Sequence, residues 1–243
     1  WMRIDRYTIR DVSNNGELTL AGILRKSSNI GMAKLTLQLD DPVVPDRYRA
    51  LGFGQAPGTG FPGEATGNMP APAVWSSSQW AALSYGYGLS VTALQLASAY
   101  TSIANHGERL PPSLLRLNRA AQGEPVIDPE VADRVLAMMD EVVAPGTGAR
   151  RALVPGYSVA GKTGTVRKSG SGGYEQNAYR SLFVGITPVS NPRIITVVMI
   201  DHPRGDAYYG GAIAAPVFSR VAGSALRILD VPPDRPEQEG DSP

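Results

Sequence analysis

The residues Tyr157-Ser158-Val159-Ala160-Gly161-Lys162-Thr163-Gly164-Thr165 decide the fold of this chain. Their period is that of a strand, and the run Ser169-Gly170-Ser171-Gly172-Gly173 after them predicts a turn. Farther on, residues 179–187 and 193–201 are rich in β-forming side chains, and Pro188-Val189-Ser190-Asn191-Pro192 joins them at hairpin spacing. Three antiparallel strands are therefore expected, the Lys162 strand first. Pro216 is read as opening a last helix, with Val217, Phe218, Val221, Ala222, Ala225 and Ile228 on the sheet. From Asp230 the chain turns proline-rich and acidic, so residues 230–243 are expected to form a disordered tail.

Working upstream, the period changes to that of helices. After the turn signal Asn15-Gly16, Leu18, Leu20, Ile23 and Leu24 recur at near-helical spacing. The pattern breaks at Ser27-Ser28-Asn29 and resumes at Ile30, Met32, Leu35 and Leu37, which predicts two helices with a polar joint. Residues 52–72 carry glycine or proline every few positions and predict a long irregular loop. Thr92 and Gln95 make a capping box ahead of Leu94, Ala97, Tyr100, Ile103 and Ala104, and Gly107 ends that helix. Asp128-Pro129 is an N-cap and first-turn pair; Val131, Val135, Leu136, Met139 and Val142 form one apolar face before Pro145-Gly146-Thr147-Gly148 stops the helix. Its methionines read as core filler. Helices first, then strands and a closing helix, indicate an α+β fold of one domain over residues 1–229, an antiparallel sheet flanked by helices, with no internal repeat and no second core.

Composition removes several function classes. Lysine and arginine number 23 against 22 acidic residues, a net charge of +1, which offers no field to hold a phosphate backbone, so no nucleic-acid partner is expected. With no cysteine there is no thiolate catalysis, disulfide or thiolate-bound zinc. The longest apolar runs fall far short of the roughly 20 residues that cross a bilayer. The opening Trp1-Met2-Arg3-Ile4-Asp5 has neither the basic nor the apolar region of a signal peptide and reads as a chain entered midway.

The chemistry lies in two separated motifs. Lys162-Thr163-Gly164-Thr165 at a strand edge and Ser27-Ser28-Asn29 at a helix joint match, in order, two of the three signatures of penicillin-recognising serine enzymes. In that chemistry a serine attacks an acyl carbon; the site needs a cation for a substrate carboxylate, a polar proton relay and backbone amides for the oxyanion. Taken singly, Ser27 and Asn29 also fit ordinary helix capping, and Lys162 a solvated strand-edge lysine.

Beyond these motifs, Ile23-Leu24-Arg25-Lys26-Ser27-Ser28-Asn29, Gly52-Phe53-Gly54, Tyr87-Gly88-Leu89-Ser90-Val91-Thr92, Leu94-Gln95-Leu96-Ala97 and Asn177-Ala178-Tyr179-Arg180-Ser181-Leu182-Phe183 resemble the division-specific class B penicillin-binding proteins of Gram-negative bacteria. The resemblance runs from Trp1 to about Pro233. It implies the penicillin-binding, serine β-lactamase-like fold, with the sheet incomplete in this chain, and a peptidoglycan D,D-transpeptidase that acts without cofactor or metal. By the same resemblance Ser27 relays protons, Asn29 positions the substrate backbone and Lys162 takes part in carboxylate binding and proton transfer. Thr163, Gly164 and Thr165 form the carboxylate-binding stretch, and the Thr165 amide is half of the oxyanion hole. Tyr174, Tyr179, Tyr208 and Tyr209 stand where the family places aromatic residues around the cleft; the residues alone fit equally well as tyrosines bracing a hairpin. Implied partners are peptidoglycan stem peptides, β-lactam antibiotics, the septal glycan polymerase and other division proteins. The implied place is the periplasmic face of the inner membrane, with an anchor outside these residues.

The third signature, Ser-x-x-Lys, occurs nowhere, since none of Lys26, Lys34, Lys162 and Lys168 has serine three places before it. In the family that motif lies on a helix upstream of the Ser-x-Asn turn, so the nucleophile is expected ahead of Trp1 and the chain by itself is expected to be inactive. The runner-up is a non-catalytic ligand- or partner-binding domain on the same scaffold. Gly156 through Thr163 also fits a phosphate-binding loop letter for letter, yet such a loop must run into a helix, and here Gly164 and a Ser/Gly-rich turn follow. A nucleophile elbow at Gly156-Tyr157-Ser158-Val159-Ala160 ends in alanine and runs into a strand. His106 and His202, at element ends, read as structural.

Overall fold

The computed structural model describes residues 1–39, 43–71, 75–170 and 173–235, with the backbone alone at 169–170, 173–174 and 176–177. They divide into two compact units, Trp1–Val131 and Ala132–Pro243, a division the sequence reading did not anticipate.

The first unit opens with a short antiparallel hairpin, β1 (Met2–Ile4) and β2 (Tyr7–Ile9), in which Met2 faces Ile9. Three-residue strands are too short to show a period, which is why the sequence did not disclose them. The two helices and polar joint expected next are α1 (Leu20–Lys26) and α2 (Asn29–Thr36). Then come α3 (Val43–Ala50), α4 (Ser77–Ser84), α5 (Ala93–Ala104) and the paired strands β3 (Glu108–Arg109) and β4 (Glu124–Pro125). Ile4, Ile9, Ala33 and Ala81 form a buried cluster, and the Trp80 indole donates to the Thr36 carbonyl at 3.0 Å, tying α4 to α2.

Neither α3 nor α4 was expected, although α4 carried a legible mark: Ser76 and Gln79 exchange the two bonds of a capping box, at 3.3 and 3.0 Å. The box at Thr92 and Gln95 forms as expected, at 3.1 and 2.8 Å. The Gly/Pro-rich loop of residues 52–71 has no regular element, and buried Gln95 holds it in place. The Gln95 Nε2 donates to the carbonyls of Gln55 at 2.7 Å and Thr66 at 2.8 Å.

The helix α6 (Pro129–Val143) begins at its expected cap, where Asp128 Oδ1 accepts from the Glu130 amide at 3.0 Å. Ala132, Met139, Val142 and Val143 are its buried residues, whereas Val131, assigned to the apolar face, is half exposed. After a 3-10 turn at Arg150–Ala152 come β5 (Ala160–Gly170), β6 (Gly173–Thr187), β7 (Ile194–Asp201) and α7 (Gly210–Ile228). The three strands are antiparallel in the order β5-β6-β7, as expected, with Lys162 opposite Val184 and Ile186 opposite Ile195. Two residues of the expected turn, 171 and 172, lie outside the described residues.

Helix α7 packs on one face of this sheet through the fully buried Phe183 and Phe218, whose rings are 4.8 Å apart. A Cβ at Gly185 would come within 2.5 Å of the Phe218 ring, so glycine there sets how closely helix and sheet approach. Two expectations about this region are corrected. Pro216 lies inside α7, which starts at Gly210; the Ala212 carbonyl that a proline cannot satisfy receives Arg151 Nη1 at 3.5 Å. Val221 and Ile228, expected on the sheet, are 49% and 82% exposed, and Ala214, Ala215, Phe218, Ala222 and Leu226 form the packed side.

The tail is also corrected as far as it is described. Residues 230–235 are ordered against the entry to β5: Val231 is buried, the Tyr157 hydroxyl donates to its carbonyl at 2.7 Å, and the Asp234 and Arg235 amides both donate to the Gly156 carbonyl at 3.1 Å. Arg235 pairs with Asp140 at 2.6 Å. Composition alone suggested disorder, and specific backbone and side-chain bonds outweigh it here; residues 236–243 lie outside the described residues. No helix among the described residues is long and apolar enough to cross a membrane.

Candidate active site

The polar joint of the first unit is a sharp turn. α1 starts at Thr19, whose hydroxyl accepts from the Gly22 amide at 3.1 Å, and ends at Ser27 in the left-handed region, φ 51° and ψ 47°. That backbone costs an L-residue about 1–2 kcal/mol. It lets the Ser27 and Ser28 amides reach the Leu24 and Ile23 carbonyls at 3.2 and 3.0 Å. Helix α2 then leaves at once, close enough that a Cβ at Gly31 would lie 2.7 Å from Ile23.

Capping of α2 belongs to Ser28, not to either residue singled out from the sequence. The buried Ser28 hydroxyl accepts from the Gly31 amide at 2.9 Å and donates to Asp11 Oδ2 at 2.6 Å, while Asp11 Oδ1 takes the Ile30 amide at 3.0 Å. Asp11 was not legible as a partner, being 17 residues from Ser28. With the cap supplied from elsewhere, the Ser27 side chain is exposed and Asn29 Nδ2 donates to the Arg10 carbonyl at 3.3 Å. A cleft of about 800 Å³ beside this turn is lined by Trp1, Arg10, Asp11, Ser28 and Lys34 among others, but by neither Ser27 nor Asn29.

In the second unit Lys162, Thr163, Gly164 and Thr165 occupy β5, hydrogen-bonded to β6 on one side, with Thr163 opposite Phe183 and Thr165 opposite Ser181. Strand alternation turns Thr163 and Thr165 to the face that α7 covers and Lys162 and Gly164 to the other. The first turn of α7 sits directly on the motif: the Gly210 amide donates to Thr165 Oγ1 at 3.1 Å. Lys162 Nζ donates to the Thr163 carbonyl at 3.0 Å. Burial removes water from its ammonium and pushes its pKa down to about 8, from an ordinary 10.5.

Three of the four tyrosines are brought together. Tyr179 on β6 stacks on Tyr208 at 4.1 Å and 13°, and Tyr208 on Tyr209 at 4.5 Å and 29°. The Tyr208 hydroxyl donates to that of Tyr209 at 3.3 Å, the leading reason its pKa stands above the ordinary value. The Tyr174 side chain lies outside the described residues.

The competing motifs dissolve in the geometry. Lys162-Thr163 continues as an 11-residue strand instead of opening a helix, which leaves no phosphate loop. Ser158 is buried; its hydroxyl donates to Asp234 Oδ2 and accepts the Val189 amide at 2.7 Å, so it is part of the scaffold. His106 and His202 have φ of 48° and 55° at element ends, and the His202 amide donates to the Tyr179 carbonyl at 2.9 Å. No group of acidic residues or histidines among the described residues could hold a metal ion.

Known proteins are similar to this chain in sequence and fold. The family model described as penicillin binding protein transpeptidase domain matches residues 1–223. The probable peptidoglycan D,D-transpeptidase PbpC of Pseudomonas aeruginosa is 45% identical over 234 residues, which cover 96% of this chain and 41% of that protein. The peptidoglycan D,D-transpeptidase FtsI of Escherichia coli is 40% identical over 232 residues, covering 96% and 40%. This chain thus spans about two fifths of the length of these curated relatives. Among solved structures, the apo transpeptidase domain of Burkholderia pseudomallei penicillin-binding protein 3 superposes with a TM-score of 0.88 at 42% identity, covering 93% of this chain and 69% of that one. A Burkholderia ambifaria structure described as a peptidoglycan glycosyltransferase gives 0.87 at 40% identity, covering 97% and 71%. With its antiparallel sheet, its covering helix and the Lys162-Thr163-Gly164-Thr165 strand, this chain belongs to the penicillin-binding protein transpeptidase domain family.

Proposed function

We propose that this chain is the C-terminal part, over residues 1–229, of a serine-type peptidoglycan D,D-transpeptidase that cross-links stem peptides at the division septum and is inhibited by β-lactams. The observation that carries the reading is the β5 segment Lys162-Thr163-Gly164-Thr165, with a lysine held near pKa 8, in a chain matched over residues 1–223 by the transpeptidase domain.

The nucleophile belongs to a Ser-x-x-Lys helix outside these residues. Its oxygen bonds to the acyl carbon of a donor stem peptide, and the bond from that carbon to the leaving amine breaks. The serine proton passes through a relay that includes Ser27 to the leaving nitrogen. An acceptor amine then attacks the ester, its proton returns to the serine oxygen, and the cross-link is formed. Asn29 holds the donor backbone, and Thr163 and Thr165 bind its carboxylate with Lys162. A lysine near pKa 8 exchanges a proton close to neutral pH at little cost, which suits Lys162 to the relay. The Thr165 amide stabilises the oxyanion, and Tyr174, Tyr179, Tyr208 and Tyr209 line the cleft. The enzyme works at the periplasmic face of the inner membrane with the septal glycan polymerase.

The runner-up, a non-catalytic binding domain on the same scaffold, draws on the absence of Ser-x-x-Lys from these 243 residues. One experiment separates the two. The full-length protein containing this chain is incubated with fluorescent penicillin and its labelled peptide sequenced. The transpeptidase reading expects one adduct, on a Ser-x-x-Lys serine, with acylation slowed at least a hundredfold by Lys162→Ala while its circular dichroism spectrum stays that of the folded protein. An unlabelled protein supports the binding domain, and an adduct on Ser27 or Ser158 overturns the mechanism.

A further inference from the structure

We infer that Gly210 and Gly211, at the start of α7, are positioning residues that aim the Thr165 hydroxyl proton at the substrate carboxylate; the inference rests on the transpeptidase reading above. Neither glycine has a left-handed φ, so conformational freedom does not explain them. Space does. A Cβ at Gly210 would lie 2.2 Å from the Leu182 carbonyl oxygen and 2.5 Å from that of Gly164, and one at Gly211 would lie 2.2 Å from the Gly148 carbonyl oxygen. Real Cβ atoms do not approach backbone so closely, so a side chain at Gly210 lifts the first turn off β5 and β6, and one at Gly211 pushes the same turn away from Gly148.

That close seat has a chemical consequence. The N-cap residue of α7, Tyr209, makes no side-chain cap bond, and the Gly210 amide is satisfied by Thr165 Oγ1 from β5, 45 residues away. A hydroxyl has one proton and two lone pairs. Once a lone pair accepts from Gly210, the hydroxyl proton is excluded from that direction and is confined to the positions that point away from the helix amide. Accepting from an amide at the positive end of a helix also polarises the O–H bond and makes it a better donor. A carboxylate can only accept, so an oriented donor favours it over a neutral ester. On the β6 side the Ser181 hydroxyl donates to the Tyr208 carbonyl, which fixes the residue leading into this turn.

The test uses the full-length protein and two probes, a penicillin with its free carboxylate and the same penicillin as its methyl ester. Gly210→Ala and Thr165→Val are expected to slow acylation by the free acid about ten- to hundredfold while changing the ester little, the loss of a hydrogen bond to a charged group. Thr165→Ser, which keeps the hydroxyl, is expected to restore the preference for the acid. Hydrogen exchange at the Gly210 amide gives a second reading that needs no acylation: slow with Thr165 or Thr165→Ser, fast with Thr165→Val. Equal slowing of both probes by Gly210→Ala and Thr165→Val makes these residues packing alone and overturns the inference, as does a Gly210 amide that stays slow in Thr165→Val. A wild-type protein that takes neither probe overturns the transpeptidase reading instead, and the exchange rates still decide whether Thr165 holds Gly210.

Discussion

Replacing Asp234 by asparagine tests whether the end of the described chain is a structural latch for the entry to β5. Its carboxylate accepts the Ser158 amide at 2.7 Å, the Ser190 hydroxyl at 2.7 Å and the Ser158 hydroxyl, across as many as 76 residues of sequence. Asparagine keeps the shape but replaces one acceptor oxygen with a donor facing donors. Bonds to a charged acceptor contribute about 1.5–3 kcal/mol each. Because Asp234 is partly open to water, that range is discounted for screening to a net loss of about 2 kcal/mol for the substitution. In a protein of this size that corresponds to a fall in melting temperature of about 4–8 °C. The pH dependence gives the sign. Burial pushes the Asp234 carboxyl up, but the bonds from Ser158 and Ser190 more than offset it and hold its pKa below the ordinary 3.8. A depressed carboxyl contributes stability that is fully present above the unfolded value and is lost as pH falls through the folded one. Melting curves of wild type and variant should therefore differ by a constant amount from pH 8 to about pH 5 and converge toward pH 3. Hydrogen exchange at the Ser158 and Val189 amides should speed up in the variant over the same range. Equal melting temperatures at pH 7, or a gap undiminished at pH 3, would refute the latch.

Two further outcomes follow from single side chains. Lys162 should titrate near pH 8 when the lysines are reductively methylated with carbon-13 and followed by NMR, its resonance assigned by its loss in Lys162→Met; since its folded pKa is depressed from 10.5, stability should rise with pH between about 8 and 10.5 in wild type and not in Lys162→Met. Gln95→Leu, which leaves the Gln55 and Thr66 carbonyls without their buried donor, should cost about 2–4 kcal/mol in chemical denaturation and open residues 52–68 to limited proteolysis, and a loop still resistant in that variant would count against Gln95 as its anchor.

Features that repeat along the chain or act within a turn of it were legible in the sequence: the capping box that starts α5 and the N-cap that starts α6, the polar joint between α1 and α2, the three strands of the sheet and the motif on the first of them. Their causes are local, since period and cap chemistry act over three or four residues. What tertiary structure decided depends on partners far apart in sequence. Ser28 and Asp11, not Ser27 or Asn29, cap α2; Arg151 approaches the Ala212 carbonyl that Pro216 leaves open; Thr165 holds the first turn of α7; and Asp234 ties down a tail whose composition suggested disorder. In each case a backbone or side-chain group must be satisfied by whatever the fold brings within about 3 Å, and no spacing rule encodes which residue that is.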